Sequence, residues 1–219
     1  MKSIVSKFSK EDRDRIVAAV VDAEGKTSGE IVPFIVEQSD IYEDAEWRGA
    51  VLCSIIVFCL LVALREWTTI WLPLEITTIG LATLTSGAVG FLLVRFVPFL
   101  KVAFAGKHLI EHRVAQRAAE AFIHEEVFRT RDRTGILLFV SLLEHRVLVV
   151  GDSGINAKVS QADWHDIVQR VIRGTQDGKI IDGLVDAIGQ CGNLLERHGL
   201  KRRKDDRDEI SDSLRVSDR

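Results

Sequence analysis

Apolar residues follow three different rhythms along this 219-residue chain. Near the start, Ile16, Val20 and Ala23 recur at helix spacing behind Ser9 and Asp12, which have the spacing of a capping box. They predict a helix ending about Gly25. Thr27-Ser28-Gly29 reads as a turn, and residues 30–36 are β-rich enough to predict a strand. Pro33 has no N–H to give a ladder, so it places that strand at an edge or at a bulge. The rhythm then changes. Residues 49–64 and 76–94 are two long runs without a charge, joined by a bridge over residues 65–75. Helix and strand periods return after residue 101. Residues 107–128 predict a helix with Val114, Ala118, Ala121 and Phe122 on its buried face. Residues 136–143 and 146–150 predict two strands linked by Glu144-His145. Gly151-Asp152-Ser153-Gly154 reads as a turn. Trp164, Ile167, Val168, Val171 and Ile172 predict one further helix, and Ile181 through Leu195 a last one past Gly178.

The two uninterrupted runs read as a transmembrane hairpin over residues 47–101. The second, of about nineteen residues, is close to the length of a bilayer core. The first, about 24 Å as a helix, is extended by Trp47 and Trp67, which lie about 30 Å apart along a helix axis. Trp71 adds an aromatic on the outer side, and Arg95 can snorkel from a span end. Ala82, Ser86 and Gly90 recur every four residues and predict a small-residue packing face, with Gly49, Cys53 and Ser54 as its counterpart. Arg48, Arg95, Lys101, Lys107 and Arg113 flank the outer ends of the pair, against Arg65 alone in the bridge. The positive-inside rule therefore places both termini in the cytoplasm. No apolar run near the N-terminus suggests a signal peptide.

The domain expectation is a soluble domain in two pieces, 1–46 and 102–200, with a disordered charged tail at 201–219. Its fold class is α/β, a small mixed-sheet α/β/α sandwich interrupted by the two-helix hairpin. Net charge is -3, neither basic enough for nucleic acid nor acidic enough for a solvating tail. Cys53, Cys59 and Cys191 lack metal spacing and predict free thiols in a reducing compartment.

Several short motifs resemble the TPM-domain family, also called TPM phosphatase. They are Thr27-Ser28-Gly29-Glu30-Ile31, Thr134-Gly135-Ile136-Leu137-Leu138, Arg146-Val147, Gly151-Asp152-Ser153-Gly154-Ile155 and the final helix pair. The likeness is strongest to a branch of bacterial membrane proteins with an inserted transmembrane hairpin. It implies an α/β/α sandwich. Relatives are associated with acid phosphatase activity, photosystem II maintenance and receptor modulation.

Other motifs carry less. His108-Leu109-Ile110-Glu111-His112 has the spacing of inverted zincins, but no third-ligand segment follows. Gly151-Asp152-Ser153-Gly154 is like the nucleophile turn of trypsin-type proteases, which need a double β-barrel. Gly25-Lys26-Thr27 lacks the upstream glycine of a P-loop. Asp40, Glu43, Asp44 and Glu46 form an acidic linker with the donors for a divalent cation. Topology gives a firmer candidate. With the first two strands parallel and the third antiparallel to the second, Glu30, Asp132, Thr134, Asp152 and Ser153 gather at one end of the sheet. Three carboxylates and two hydroxyls there suit a divalent cation or acid–base chemistry on a phosphate.

The functional expectation is a membrane-anchored accessory or binding module for membrane protein complexes. The alternative is a weak metal-assisted acid phosphatase. Expected partners are the lipid bilayer and a membrane complex, not nucleic acid. The expected location is the bacterial inner membrane, with termini and domain cytoplasmic.

Overall fold

A computed structural model describes residues 7–67, 75–160, 162–176, 178–203, 205 and 208–218, with the side chains of 175 and 176 excepted. Trp71 and most of the bridge lie outside the described residues. The chain divides into two compact units, one of residues 1–40 with 112–219, the other of residues 41–111.

The first unit opens with α1 (Lys10–Glu24). Ser9 and Asp12 form the expected capping box: Asp12 N–H donates to Ser9 Oγ at 3.1 Å and Ser9 N–H to Asp12 Oδ2 at 3.0 Å. Strand β1 (Glu30–Val36) pairs in parallel with β2 (Gly135–Ser141), and β2 pairs antiparallel with β3 (Arg146–Gly151). A one-turn helix α6 (Ser153–Asn156), then α7 (His165–Gln176) and α8 (Ile180–Arg197), complete the helical part. β4 (Arg215–Ser217) pairs in parallel with β1, giving the order β3-β2-β1-β4.

Both central strands are buried along their whole length, so both sheet faces are covered. Ile31, Ile35, Ile136, Leu138 and Val140 share a core with Ile16 and Val20 of α1, Ile167 and Val171 of α7, and Leu184 and Ile188 of α8. On the opposite face Phe34 stacks on Phe139 with ring centroids 5.8 Å apart, and Phe34 lines a cavity with Ala121 of α5 (Lys107–His124). Helices on both faces of a mixed sheet make this an α/β/α sandwich.

Two expectations change here. The described part of the expected disordered tail is structured: residues 215–217 form β4, and Leu214, 7% exposed, joins the core. β1 is not an edge strand either. Its N–H groups alternate sides, Glu30 donating to Thr134 O, Ile31 to Glu24 Oε1 and Glu37 to Ser217 O. Pro33 falls on the side of Ile31 and Glu37, where β4 pairing begins only at Phe34. The missing donor therefore costs no ladder bond.

The second unit contains α2 (Glu43–Trp67), α3 (Ile76–Phe96) and α4 (Pro98–Ala105). At 1.5 Å per residue α2 and α3 are about 37 and 31 Å long, enough to cross a bilayer core of about 30 Å. Both are long and apolar enough to span a membrane, and little of either is buried. They run antiparallel: a Cβ on Gly90 would meet Gly49 O at 2.7 Å and Cys53 Cβ at 2.8 Å, while one on Gly87 would meet Ser54 Oγ at 2.5 Å. Side-chain-free positions thus let the backbones touch. The contact stripe on α3 is Ile79, Gly87, Gly90 and Val94, so the expected face is rotated, with Gly90 buried on it and Ala82 and Ser86 only half-buried.

The polar end of this unit is tied by charge. Glu46 has a side chain 4% exposed, with Lys101 Nζ at 3.1 Å and Arg95 Nη1 at 3.4 Å. Arg48 Nη1 donates to Phe104 O and Ala105 O at 3.1 and 3.2 Å, which satisfies carbonyls at the end of α4.

Candidate carboxylate site

Residues 25–29 connect α1 to β1, and the chain after α8 is stitched onto them. Thr27 Oγ1 and Ser28 N–H both donate to Leu200 O, at 2.5 and 3.1 Å, and Thr27 bridges to Lys201. The C-terminal segment is thereby brought to the start of β1. Four carboxylates meet there: Glu24 from the last position of α1, Glu30 from the first of β1, and Asp208 and Asp212 from the segment before β4. They line a recess of about 80 Å³ with Thr27, Val21 and Arg202. Oxygens of Glu24, Asp208 and Asp212 all lie within 4.8 Å of one another.

The electrostatics of this recess are unusual. Glu24 Oε1 accepts from Ile31 N–H at 2.7 Å, yet burial pushes its carboxyl up to about 9, aided by the charges of Glu30, Asp212 and Asp208. Glu30 is pushed up to about 7, again by burial first and then by Asp208, against hydrogen bonds from the Glu209 and Ile210 backbone. Asp212 is also raised, with burial the main cause. Glu30, 7% exposed, keeps Oε2 buried with no hydrogen-bond partner, and so does Asp212 at Oδ1. Orphaned buried acceptors are costly unless something else satisfies them.

Of the sequence candidates, only Glu30 belongs to this recess. The register does place Glu30 opposite Gly135 and Gly151 opposite Ile136, so all five residues lie at the same sheet end. Their side chains have other work. Asp132 is ion-paired with Arg203. Thr134 Oγ1 donates to Ser28 O at 2.7 Å, and its N–H donates to Thr130 Oγ1 at 2.9 Å, which ties two loops together. Asp152 caps α6, accepting from Ser153 N–H at 2.6 Å, and lies 3.0 Å from Arg133 Nε as an ion pair without hydrogen-bond alignment at Oδ2. Ser153 is exposed at the start of α6. Glu24, Asp208, Asp212 and Arg202 were not among the expected site residues. Glu24 did carry a signal: it continues the Ile16, Val20 stripe at i+8, an acid on a buried helix face.

The weaker motifs find ordinary places. His108 and His112 are exposed on α5. Within the acidic linker, Glu46 is held by Lys101 and Arg95, and Asp40 pairs with Arg113 at 2.8 Å.

No curated protein sequence matches the chain. Among solved structures, the fold is similar to the NMR structure of BA42 protein from the psychrophilic bacterium Bizionia argentinensis. The TM-score is 0.60 at 20% identity, over 99% of this chain and 100% of that one. The sequence model of the TPM domain matches residues 105–194, the span from the end of α4 to the last turn of α8.

Proposed function

We propose that this chain is a membrane-anchored module that binds a divalent cation through Glu24, Glu30, Asp208 and Asp212. The observation that carries the reading is the pair of buried, unpartnered oxygens, Glu30 Oε2 and Asp212 Oδ1, in a recess already crowded with carboxylates. The donors that the described residues bring to the recess are carboxylate oxygens, which suit a hard cation such as Ca²⁺ or Mg²⁺. Titration calorimetry with CaCl2 and MgCl2 tests it. Binding of one cation per chain is expected, at least tenfold weaker in Glu30→Gln and in Asp212→Asn. Unchanged affinity in both variants would remove the site.

The helix pair α2 and α3 is the anchor, with both termini on the cytoplasmic side of a bacterial inner membrane. The length and exposure of these helices and the Lys/Arg bias at their outer ends support this. Topology reporters fused in the bridge and at the C-terminus read it directly; a periplasmic C-terminus would refute the orientation. The module's role is to serve a membrane protein complex as an accessory.

A second reading, hydrolysis of phosphate monoesters, is favoured by Arg202 at the rim of the recess. In this reading Glu24, Asp208 and Asp212 would hold the cation, which would supply charge neutralisation; Arg202 would grip the phosphate, water would attack phosphorus, and Glu30, left off the cation, would give a proton to the leaving oxygen. Cation-dependent release of nitrophenol from p-nitrophenyl phosphate, lost in Arg202→Ala, is the expected result. No turnover above background would leave the binding module alone.

A further inference from the structure

We infer that the C-terminal segment from Asp208 to Ser217 is a strap whose docking on the edge of β1 is controlled by the cation. The inference rests on the carboxylate recess binding a cation, and it adds what that binding does.

The recess is built from two separable parts. Glu24 and Glu30 belong to the body of the sandwich, on α1 and β1. Asp208 and Asp212 belong to the strap. Carboxylates of both parts therefore face each other across the contact between strap and body, and a cation held by oxygens from each would bridge the two. Glu30 Oε2 and Asp212 Oδ1, one from each part, are the buried oxygens left without partners.

What else holds the strap is modest. β4 is three residues long and only half-buried, and pairs with Phe34, Ile35 and Val36. Leu214 is its buried anchor, with Val216 partly buried beside it. The remaining ties are polar, and they include the Glu209 and Ile210 backbone bonded to Glu30 and a hydrogen bond between Asp212 and Glu24. Glu209 accepts from Arg131 N–H at 3.0 Å, and Arg215 Nε lies 3.2 Å from Glu125 Oε2. The Glu209 contact is exposed and contributes little, whereas the Arg215–Glu125 pair is mostly enclosed and is the stronger polar tie. A short edge strand with one deep apolar anchor is drawn from the less stable end of a domain.

Release of the strap would bare the β1 edge at Phe34–Val36, including the Glu37 N–H that now donates to Ser217 O at 3.1 Å. An open edge of this kind pairs with an extended segment of a partner chain. Cation occupancy would thus decide whether the edge is covered by the chain's own strand.

Linkage makes the inference testable in both directions, since a cation that favours the docked strap must bind more tightly when the strap docks well. The measurement is amide hydrogen exchange on the full chain in nonionic micelles, with CaCl2 or with chelator, beside calorimetry on the same samples. Protection of residues 208–218 and of the Glu37 amide should rise at least tenfold with Ca²⁺. Leu214→Ser, at a core position that does not line the recess, should weaken Ca²⁺ binding at least threefold. Asp208→Asn with Asp212→Asn should protect the strap without cation and abolish the response. If Ca²⁺ binds while strap exchange or the affinity of Leu214→Ser is unchanged, the strap inference falls and the cation site stands. If Ca²⁺ does not bind, both fall.

Discussion

Breaking the buried charge cluster at Glu46 should separate a strong ion pair from a weak one within one site. Glu46 is almost fully enclosed; the Lys101 side chain is 13% exposed, whereas Arg95 is 55% exposed. At 3.1 Å and an effective dielectric of 20, the Glu46–Lys101 attraction is about 5 kcal/mol before desolvation is subtracted. Removing one partner of a buried pair typically costs about 3–5 kcal/mol, because the other charge stays buried. Arg95 remains to offset part of that, so Lys101→Met is expected to cost about 3 kcal/mol. Arg95→Met, at a more exposed contact, should cost less than about 1 kcal/mol. Glu46→Gln combined with Lys101→Met should cost little more than Lys101→Met alone, since the buried charge has gone with its partner. Trp47 follows Glu46 and packs edge-on against Phe91 with centroids 5.3 Å apart. Its emission, in a variant whose other tryptophans are phenylalanine, can follow denaturant unfolding in nonionic micelles. Equal costs for Lys101→Met and Arg95→Met, or strict additivity in the double variant, would refute this account.

Three further outcomes are expected. Gly135→Ala would put a Cβ 1.9 Å from Val127 O, which is backbone, so β2 must shift; a loss of about 3 kcal/mol or more in chemical denaturation is expected, and one below about 1 kcal/mol would contradict the packing. Asp12 is held below its usual carboxylate range, chiefly by the Ser9 side chain and backbone. Its contribution is therefore complete above the unfolded pKa and lost as pH falls through the folded one, so the melting-temperature gap between wild type and Asp12→Asn should narrow from pH 6 toward pH 3. Burial pushes the Cys191 thiol up to about 12, so with Cys53 and Cys59 replaced by serine, iodoacetamide at pH 8 should label Cys191 only after denaturation.

The sheet was legible where burial is two-sided. Residues 30–36 and 136–143 read as strands because continuous apolar runs of that length suit a strand covered on both faces. The helix pair was legible for a similar reason, since its runs exceed an ordinary core helix. β4 was not, because Arg-Val-Ser inside a charged stretch has no apolar period, and it is held mainly by backbone pairing to β1 and by Leu214. α4 escaped notice as well, although Pro98 stands in its first turn, where proline is well tolerated. The recess was half legible. Topology led to Glu30 and the α1 stripe pointed to Glu24, but Asp208 and Asp212 come from a segment whose charges looked solvated, and proximity across so many residues leaves no trace in spacing.

The parallel pair β1 and β2 has a consequence for how the chain is made. β1 leaves the ribosome roughly a hundred residues before its central partner, an interval of about 5 to 20 s at ordinary elongation rates. Through that interval the segment Glu-Ile-Val-Pro-Phe-Ile-Val is an unpaired apolar strand with no sheet to join. With α2 and α3 inserted as proposed, the translocon handles both of them before β2 exists, so insertion precedes closure of the sheet. Pro33 then has a second use. It interrupts the N–H row of a waiting strand on the side that does not pair with β2, where a stray chain would otherwise zip on. Biogenesis of the sandwich is thereby tied to the pace of membrane insertion. Delayed insertion should show itself as aggregation through residues 30–36 rather than as a slowly folding monomer.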